Sequence, residues 1–372
     1  LLPLSQPVIT VAGTNGKGST VAVLEALLGE AGLVVGTFTS PHLLRFNERI
    51  RVAGEEAPDE QIVAAFEAIE AARGETSLTY FEFATLAALL VFREREPAIV
   101  VLEVGLGGRL DSVNIVDPTI AVITAIDLDH QDWLGDDRGL IAREKAGILR
   151  GSTPAVIADP DPPPELEQAA VAAGAQPMLF LGRDFGYVSG ENGALAVELV
   201  DDRRCQRKLS LVYRGSLLPE NICAALQAAL LAGLEFTGEQ VDAALRAARP
   251  QGRRDLQELA GIQYLLDVAH NPAAINKMLE YIDSTPCKGR TICVFSVMSD
   301  KDVEAMVAAA AGHFEGWFLG ELPGVNRAAS AAEVAAILHR AGQGMTSVSK
   351  NVRQAFRRAQ SLLREGDRLV VF

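Results

Sequence analysis

The stretch VITVAGTNGKGST, residues 8–20, decides the fold of the first half of this chain. A β-branched strand runs into a glycine-rich turn that carries a lysine and two hydroxyls, and an amphipathic helix follows at once. The glycines let the backbone approach anionic oxygens closely, and the first N–H groups of the helix carry partial positive charge. Lys17 adds a full charge, and Ser19 or Thr20 can reach a magnesium ion. The stretch predicts a site for nucleotide phosphates.

This turn departs from the ordinary phosphate loop. The pattern G-x-x-x-x-G-K-[ST] requires glycine at position 11 and a hydroxyl directly after the lysine, where Val11 and Gly18 stand. A lone G-x-x-G-K is equally compatible with a structural strand-to-helix corner. The strand before the turn and the hydroxyl pair after it favour phosphate binding.

Composition indicates a globular protein and narrows its class. The chain has 372 residues, of which 49% are hydrophobic and 22% charged, and its net charge is −14. That charge argues against nucleic acid as a partner, because phosphate backbones are met by basic faces. No run is long enough to span a membrane, and no signal-peptide pattern begins the chain. The four cysteines form no C-x-x-C pair, so we expect reduced thiols and a cytoplasmic protein.

Two series of strand-like runs alternate with helix-period segments, which predicts mostly parallel sheets with helices on both faces. The first series begins at residue 8, and the second spans 264–372. Short β-like pieces within 185–212 predict a small antiparallel appendage. The run DPDPPP, residues 159–164, predicts an exposed connection. The chain begins at Leu1 without a methionine, and we expect further residues beyond both ends.

The predicted fold class is α/β: a P-loop-type, mostly parallel, doubly wound sheet domain with a small antiparallel appendage, plus a second, smaller Rossmann-like α/β domain. The linker-like RPQGRR, residues 249–254, places the boundary near Pro250. The predicted domains are therefore residues 1–250 and 251–372. Ligands of parallel sheets bind beyond the carboxyl ends of the strands, and we expect the reaction in a cleft between the domains.

A carboxylate ends the predicted strand 99–103. Glu103 begins the loop of LEVGLGGRLDSVN, residues 102–114, where Asp111 and Asn114 could line the same site. Magnesium prefers oxygen ligands, and one carboxylate beside phosphates suffices. A carboxylate closing a buried strand is costly unless something pairs with it. The alternative is an ion pair between Glu103 and Arg109, which we consider the weaker interpretation.

Three further segments carry candidate groups in the first domain. In DLDHQDWLG, residues 127–135, His130 lies among aspartates, so a metal-ligand role and a proton-handling role are both open. The segment TSPHLLRFN, residues 39–47, offers Ser40, His42 and Arg45, although its Ser-Pro could be only a turn. Lys145 stands in a helical stretch, and the residues alone favour a solvated helix lysine.

The second domain repeats the pattern of a strand end with polar groups. In LLDVAHNP, residues 265–272, Asp267, His270 and Asn271 lead into a helix with proline near its first turn. The segment DKDV occupies the corresponding place after the next strand, and Asp302 there could be only a helix N-cap.

Taken in order, these motifs closely resemble those of the folylpolyglutamate synthase and dihydrofolate synthase family of the Mur ligase superfamily. The chain carries seven of that family's motifs in the family's sequence order: AGTNGKGST, TSPHLLRFNERI, LTYFEF, LEVGLGGRLDSVN, DHQDWLG, REKAGI and DVAHNP. Any one of them is weakly specific, whereas seven in order are highly specific. The resemblance implies an ATP-dependent carboxylate-amine ligase that forms an acyl phosphate and adds L-glutamate to dihydropteroate and to folate polyglutamates.

The resemblance also implies roles for residues. ATP would be held by the loop residues Gly13, Thr14, Asn15, Gly16, Lys17, Gly18, Ser19 and Thr20. Asn221 and Asp267, with a linker arginine that is either Arg253 or Arg254, would complete the nucleotide site. One magnesium would be ligated by Ser40, Glu103 and His130, and a carbamylated Lys145 would help to bind a second. His270 would lie near the glutamate or the transferred phosphate.

The resemblance assigns the remaining substrate contacts to three segments. They are Arg45, Thr79, Tyr80, Phe81, Glu82, Leu110, Asp111 and Ser112, although the aromatic pair within them could be core packing. The form LTYFE indicates the enzyme with both activities, and the family is typically monomeric. Folylpolyglutamate synthase activity alone, a ligase of peptidoglycan precursors and a nucleotide-binding switch remain as alternatives.

Overall fold

The computed structural model describes residues 4–213, 215–250 and 252–372. These residues form two compact units. The first contains the residues up to Leu128 and those from Leu134 to Pro250. The second contains Asp129–Trp133 and the residues that follow Pro250. The short segment Asp129–Trp133 thus belongs to the second unit, although its sequence lies within the first half of the chain.

The first unit is built on an eight-stranded sheet with the order β4-β3-β2-β5-β1-β6-β7-β8. Six of these strands are parallel, and β3 and β4 continue one edge in antiparallel pairing. The strands are β1 (Val8–Ala12), β2 (Val35–Phe38), β3 (Ile50–Val52), β4 (Glu55–Glu56), β5 (Ile99–Glu103), β6 (Ile120–Ile123), β7 (Ala155–Ile157) and β8 (Met178–Phe180).

Helices cover both faces of this sheet. The helices up to Pro250 are α1 (Lys17–Glu30), α2 (Asp59–Arg73), α3 (Tyr80–Arg95), α4 (Gln131–Leu134), α5 (Arg138–Ala146), α6 (Pro164–Ala173), α7 (Pro219–Leu231) and α8 (Gly238–Ala247). Helices α2, α3, α5 and α6 contribute to one apolar core, and α1, α7 and α8 to the other. The predicted doubly wound α/β fold is therefore confirmed. Pro164 is the first residue of α6, so the predicted connection at 159–164 ends one residue earlier.

A small antiparallel sheet, β11-β10-β9, follows the large one along the chain. Its strands are β9 (Gly186–Ser189), β10 (Ala194–Val200) and β11 (Gln206–Val212). Burial alternates along most of β10, as expected for a sheet with one covered face. Leu195, Val197 and Leu199 on the covered face join the core that α1, α7 and α8 share. The predicted antiparallel appendage is confirmed.

The second unit has a six-stranded sheet with the order β12-β13-β17-β14-β15-β16. Its strands are β12 (Asp255–Leu259), β13 (Ile262–Leu266), β14 (Thr291–Phe295), β15 (Gly316–Gly320), β16 (Met345–Ser349) and β17 (Arg368–Val371), and its helices are α9 (Pro272–Ser284), α10 (Val303–Ala309), α11 (Ala331–Arg340) and α12 (Val352–Gln360). All pairs are parallel except β12 with β13. Helices α9, α10 and α11 pack on one face and α12 on the other. This is the second α/β fold that the sequence predicts.

Parallel pairing brings the carboxyl ends of neighbouring strands to one edge of each sheet. In the first unit, the predicted phosphate turn follows β1 and Glu103 ends β5. In the second unit, Asp267 follows β13 directly. No helix among the described residues is long and apolar enough to cross a membrane.

Candidate active site

The turn after β1 has a backbone that requires glycine at two positions. Gly13 has a φ of +152° and Gly16 a φ of +94°. A Cβ at Gly13 would overlap the Thr124 hydroxyl, and one at Gly16 would overlap the side-chain amide of Asn221. These two glycines therefore allow a close backbone approach as well as an unusual φ.

The turn is tied to the end of β6 by a set of hydrogen bonds. Thr124 Oγ1 donates to the carbonyl oxygen of Asn15 at 2.7 Å, and the Thr14 N–H donates to the Ala125 carbonyl at 2.7 Å. The Thr14 hydroxyl donates to the Asp127 carbonyl and accepts from the Asp127 N–H, both at 3.0 Å. These bonds between groups of the chain itself fix the conformation of the loop, which reduces the entropy that nucleotide binding would cost.

Lys17 is the first residue of α1, and its ammonium turns back onto the loop. It donates to the carbonyl oxygens of Gly13 (2.9 Å) and Thr14 (3.2 Å). The next two candidates, Ser19 and Thr20, are buried, and Thr20 Oγ1 has no hydrogen-bond partner among the described residues. A buried hydroxyl is costly unless it is hydrogen-bonded. The role of Ser19 or Thr20 toward a ligand stays a prediction.

Asn221 is brought to the loop from 205 positions further along the chain. It is buried in the first turn of α7 and lies against Gly16. The resemblance assigned both residues to nucleotide binding, and the structure places them in contact. Their sequence separation gives no local signal of this neighbourhood.

Glu103 is 1% exposed at the end of β5, and its Oε2 accepts the N–H of Ser40 at 3.0 Å. Two of the three predicted metal ligands therefore lie together at the carboxyl edge of the first sheet. The alternative pairing with Arg109 is wrong, because Arg109 Nε donates to Glu144 Oε1 at 2.9 Å. Asn114 does not line the site with its amide, which donates instead to the carbonyls of Arg109 and Gly147.

Lys145 is 3% exposed in α5, so the interpretation as a solvated helix lysine is wrong. A Cβ at Gly108 would lie 3.1 Å from Lys145 Cα and 2.9 Å from the Glu144 carbonyl oxygen. The paired glycines of the loop after β5 thus let that loop pass directly against α5. This contact places the Lys145 backbone beside the segment that begins with Glu103.

Two of the predicted substrate residues, Thr79 and Glu82, cap the start of helix α3. Thr79 is the N-cap of α3, and its hydroxyl accepts the N–H of Glu82 at 3.2 Å. The Glu82 carboxylate accepts the Thr79 N–H at 2.6 Å, which completes a capping box. Of the aromatic pair between them, Phe81 packs on Phe38 with ring centroids 5.7 Å apart. Tyr80 is 62% exposed and therefore open to a ligand.

The other predicted substrate residues lie on two loops. Ser112 Oγ is 2.7 Å from Thr85 Oγ1 of α3, and Leu110, two residues earlier in the sequence, is 79% exposed. Asp111 accepts the N–H groups of Leu106 and Val113, both at 2.9 Å. Burial raises the pKa of Asp111, although these N–H groups and the Lys17 charge act in the opposite direction. Arg45 is exposed and pairs with Asp59 at 3.1 Å. His42 Nδ1 accepts from Arg49 Nε at 2.8 Å.

In the second unit, Asp267 holds the start of the chain that follows Pro250. Its carboxylate accepts the N–H of Arg254 at 2.9 Å and that of Ala269 at 2.7 Å. Burial raises the pKa of Asp267, and these N–H groups together with the charges of Arg253 and Arg254 partly offset that effect. Both candidate arginines therefore lie near Asp267. The Arg254 guanidinium is 5.6 Å from the centre of the Tyr281 ring.

His270 follows the same strand and contacts Asp129. Its Nε2 is 3.1 Å from Asp129 Oδ2, and its Nδ1 is 2.8 Å from the Val268 carbonyl oxygen. Lys301 Nζ lies 2.5 Å from Asp129 Oδ1. Burial acts to raise the pKa of Asp129, but the hydrogen bonds from His270 and Lys301 and the charges of His270 and His130 outweigh it and hold this pKa well below its usual range. His130 is adjacent and has a φ of +50°, an unusual backbone for a side chain other than glycine.

Sequence reasoning missed two residues of these sites, Thr124 and Lys301. The strand-end position of Lys301, in the segment DKDV, was the available signal. Asp302 in the same segment is only the N-cap of α10, as the alternative interpretation proposed. Asn271 caps α9 through the Ala274 N–H at 2.9 Å and also contacts Asp129.

Comparisons with known proteins bear on both units. One family model, described as the Mur ligase middle domain, matches residues 11–228, and a second, the Mur ligase, glutamate ligase domain, matches residues 252–372. The dihydrofolate synthase/folylpolyglutamate synthase of Escherichia coli (strain K12) is 40% identical over 319 residues, which cover 85% of this chain and 73% of that relative. This chain belongs to the dihydrofolate synthase/folylpolyglutamate synthase family of Mur ligases.

Other members of the family match over similar lengths. The folylpolyglutamate synthase of Lacticaseibacillus casei is 32% identical over 86% of this chain and 78% of its own length. The solved structure of Escherichia coli FolC in complex with DHPP and ADP superposes with a TM-score of 0.89 at 37% identity, covering 98% of this chain and 85% of that one. A bifunctional folylpolyglutamate synthase/dihydrofolate synthase with Mn, AMPPNP and L-glutamate bound superposes with a TM-score of 0.90 at 38% identity, covering 99% and 87%. The chain's fold is the fold of this family.

Proposed function

We propose that this protein is an ATP-dependent ligase that joins L-glutamate to dihydropteroate, giving dihydrofolate, and to the γ-carboxylate of folate polyglutamates. The relatives that match most of the chain carry both activities in their names, and one solved relative holds a nucleotide analogue with L-glutamate. We assign ATP binding to residues 1–250 and the glutamate ligase domain to residues 251–372. The family resemblance further supports a cytoplasmic monomer, and light scattering of the purified protein tests the monomer.

The observation that carries the nucleotide site is the contact of Gly16 with Asn221 at the start of α1. The N–H groups of the first turn of α1 point toward any group placed at its start, and their partial positive charge suits a phosphate. We infer that Gly13–Thr20 and Asn221 bind ATP, and that Asp267 with either Arg253 or Arg254 orients the rest of the nucleotide. Lys17 would exchange its bonds to loop carbonyls for bonds to phosphate oxygens.

We further propose, on the family resemblance, that Ser40, Glu103 and His130 hold a divalent metal. Of these three residues, Ser40 and Glu103 lie together in the first unit. His130 belongs to the second unit, where its Nε2 lies 3.5 Å from Lys301 Nζ. The buried Glu103 carboxylate beside Ser40 provides the hard oxygen donors that Mg²⁺ prefers. One solved relative was described with a Mn ion and AMPPNP, which supports a divalent ion in this family. When bound, such an ion would neutralise phosphate charge during transfer. A second magnesium, held with the help of a carbamylated Lys145, is part of the same proposal, and the burial of Lys145 supports it.

The proposed reaction proceeds in two steps. A carboxylate oxygen of dihydropteroate or of the folate glutamyl chain attacks the γ-phosphorus of ATP, and the bond to ADP breaks, which gives an acyl phosphate. The amine of L-glutamate then attacks the acyl carbon, the carbon–oxygen bond to phosphate breaks, and the amine nitrogen releases a proton to solvent as the amide forms. Lys17 stabilises charge on the transferred phosphoryl group. Most of the rate enhancement comes from positioning the reactants. His270 lies near the glutamate or the phosphate.

We assign the folate substrate to the exposed edge formed by α3 and the loop after β5. Tyr80 and Leu110 are exposed there, whereas Phe81, Ser112 and Asp111 are fixed behind them. Thr79, Glu82 and Arg45 complete the proposed set. An exposed aromatic ring suits a flat heteroaromatic ligand.

A substrate panel tests this function. Purified protein is incubated with ATP, magnesium and L-glutamate, with dihydropteroate or folate monoglutamate as acceptor, and products are identified by mass spectrometry. We expect phosphate release only when glutamate and an acceptor are both present, and both acceptors are extended by one glutamyl unit. Release that is indifferent to glutamate contradicts the proposal, and extension of the folate alone leaves folylpolyglutamate synthase activity only.

A further inference from the structure

One carboxylate in the second unit, that of Asp129, collects three side-chain donors. Lys301 Nζ lies 2.5 Å from its Oδ1, while His270 Nε2 (3.1 Å) and Asn271 Nδ2 (3.3 Å) lie near its Oδ2. The side chains of Asp129 and Lys301 are 6% and 7% exposed. A buried ion pair of this kind is strongly destabilising to break, because it leaves one charge buried without its partner. Both carboxylate oxygens of Asp129 therefore already face hydrogen-bonding groups of the chain.

The same residues have the composition of a metal site. Single ligand atoms of Asp129, His130 and His270 all lie within 4.8 Å of one another. The Lys301 ammonium, however, lies against this cluster, 2.5 Å from Asp129 and 3.5 Å from His130 Nε2. The cation that Asp129 faces is thus part of the chain.

His270 is fixed at both ring nitrogens. Its Nδ1 faces the Val268 carbonyl oxygen and its Nε2 faces the Asp129 carboxylate, and both of these groups can only accept hydrogen bonds. The ring is thereby held in one orientation, while 42% of the side chain remains exposed. Asp129 consequently contacts two basic side chains from different strand ends: His270, which follows β13, and Lys301, which follows β14.

We propose that Asp129 is a positioning residue for amide formation, which fixes the His270 ring and the Lys301 ammonium where the incoming amino acid reacts. This inference rests on the proposed function. Asp129 acts through its two partners and has no oxygen left to take a proton from substrate. An isosteric amide cannot replace it, because Asn offers one acceptor oxygen, and its NH₂ group would face the donor of either Lys301 or His270.

The test compares Asp129→Asn with Asp302→Asn, a matched change on the other strand-end loop that retains the N-cap of α10. We expect Asp129→Asn to lower kcat/KM for glutamate by about 30- to 100-fold, the usual weight of a hydrogen bond to a charged group. Asp302→Asn should retain wild-type kinetics, and ADP affinity should be unchanged in both variants. Equal kinetics for Asp129→Asn and wild type would overturn the proposal.

A double variant separates positioning from folding. In Lys301→Met with Asp129→Asn neither charge is left unpaired, so the thermal stability lost in Asp129→Asn should return, while kcat/KM for glutamate stays low. Recovery of both quantities together would reduce Asp129 to a structural role and overturn the proposal. Manganese titration followed by electron paramagnetic resonance should give the same affinity in Asp129→Asn and wild type. A loss of manganese binding would make Asp129 a metal ligand instead.

An NMR measurement distinguishes a failure of the positioning role from a failure of the proposed function. In NMR spectra of protein with ¹⁵N-labelled histidine, the His270 proton that faces Asp129 should exchange slowly with water, and Asp129→Asn should make its exchange fast. Slow exchange in both proteins would contradict the positioning role even if the enzyme had no glutamate-dependent activity. Absence of turnover with the predicted exchange difference would contradict the proposed function alone.

Discussion

Two glycines of helix α1 predict opposite effects for the same substitution. Gly16 is the N-cap of α1 with a φ of +94°, and Gly29 lies in the last turn of that helix. A Cβ at Gly16 would overlap Asn221 Oδ1 and lie 3.0 Å from Asn221 Cγ, whereas a Cβ at Gly29 would meet nothing within 4 Å among the residues that the structure describes. The pair thus tests the phosphate-loop geometry with its own control.

The magnitudes follow from these contacts. Placing a side chain at the left-handed φ of Gly16 costs about 1–2 kcal/mol. Crowding against the buried Asn221 adds about 1–3 kcal/mol, so Gly16→Ala should destabilise the protein by about 2–5 kcal/mol in total. Gly29→Ala should stabilise it by up to about 1 kcal/mol, since alanine loses less entropy than glycine in a helix.

Thermal unfolding and ADP titration measure both effects. A change of 1 kcal/mol corresponds to about 2–4 °C in a unit of this size, so Gly16→Ala should lower the first transition by about 4–20 °C. It should also weaken ADP binding by about tenfold or more, because Asn221 must move from the proposed nucleotide site. If Gly16→Ala and Gly29→Ala had the same stability and bound ADP equally well, the proposed loop geometry would be refuted.

Three further predictions concern charge, helix capping and pH. Lys17→Ala should lower kcat by about 100- to 1,000-fold, as expected for removal of a charge that stabilises the transition state, and wild-type turnover would remove the phosphate assignment. Thr79→Ala breaks the capping box with Glu82 and should lower the free energy of unfolding by about 1 kcal/mol. The control Thr79→Ser should keep both the wild-type stability and the wild-type KM for dihydropteroate. A raised KM in the serine variant would show that Thr79 binds substrate in addition to capping α3. Burial acts to raise the pKa of Asp367, but N–H groups and the Arg290 guanidinium, 3.0 Å away, outweigh it and lower that pKa. A lowered folded pKa gives stability that is present above the ordinary aspartate value and is lost as pH falls, so the stability difference between wild type and Asp367→Asn should shrink from pH 7 to pH 3. A difference independent of pH would contradict this.

The strands that the sequence predicted well are those with continuous apolar, β-branched runs. The bounds of β5 agree with the predicted range 99–103, and β1 begins at the predicted residue 8. The strands that the sequence did not predict are short or polar. Among them, β7 and β8 have three residues each, and β12, DLQEL, is mostly exposed at the sheet edge. In such strands pairing with a neighbour supplies the stability, and their own side chains carry little pattern.

The candidate site divides along similar lines. Gly13 and Gly16 could be predicted, because a strand, a glycine turn and a helix leave a local signature. The burial of Lys145 and the contact of Asn221 with Gly16 could not, since they depend on elements distant in the sequence. The spacing of three residues between Thr79 and Glu82 is typical of a capping box, although the resemblance assigns both residues to substrate binding.

The fate of one oxygen atom tests the central claim most directly. If the acceptor carboxylate attacks ATP, one of its oxygens must leave with phosphate when the glutamate amine displaces it. Dihydropteroate labelled with ¹⁸O in its carboxylate should therefore give inorganic phosphate that carries one ¹⁸O atom for each amide formed, as read by mass spectrometry. Amide formation with phosphate free of ¹⁸O would contradict the acyl-phosphate ligase proposed for this chain.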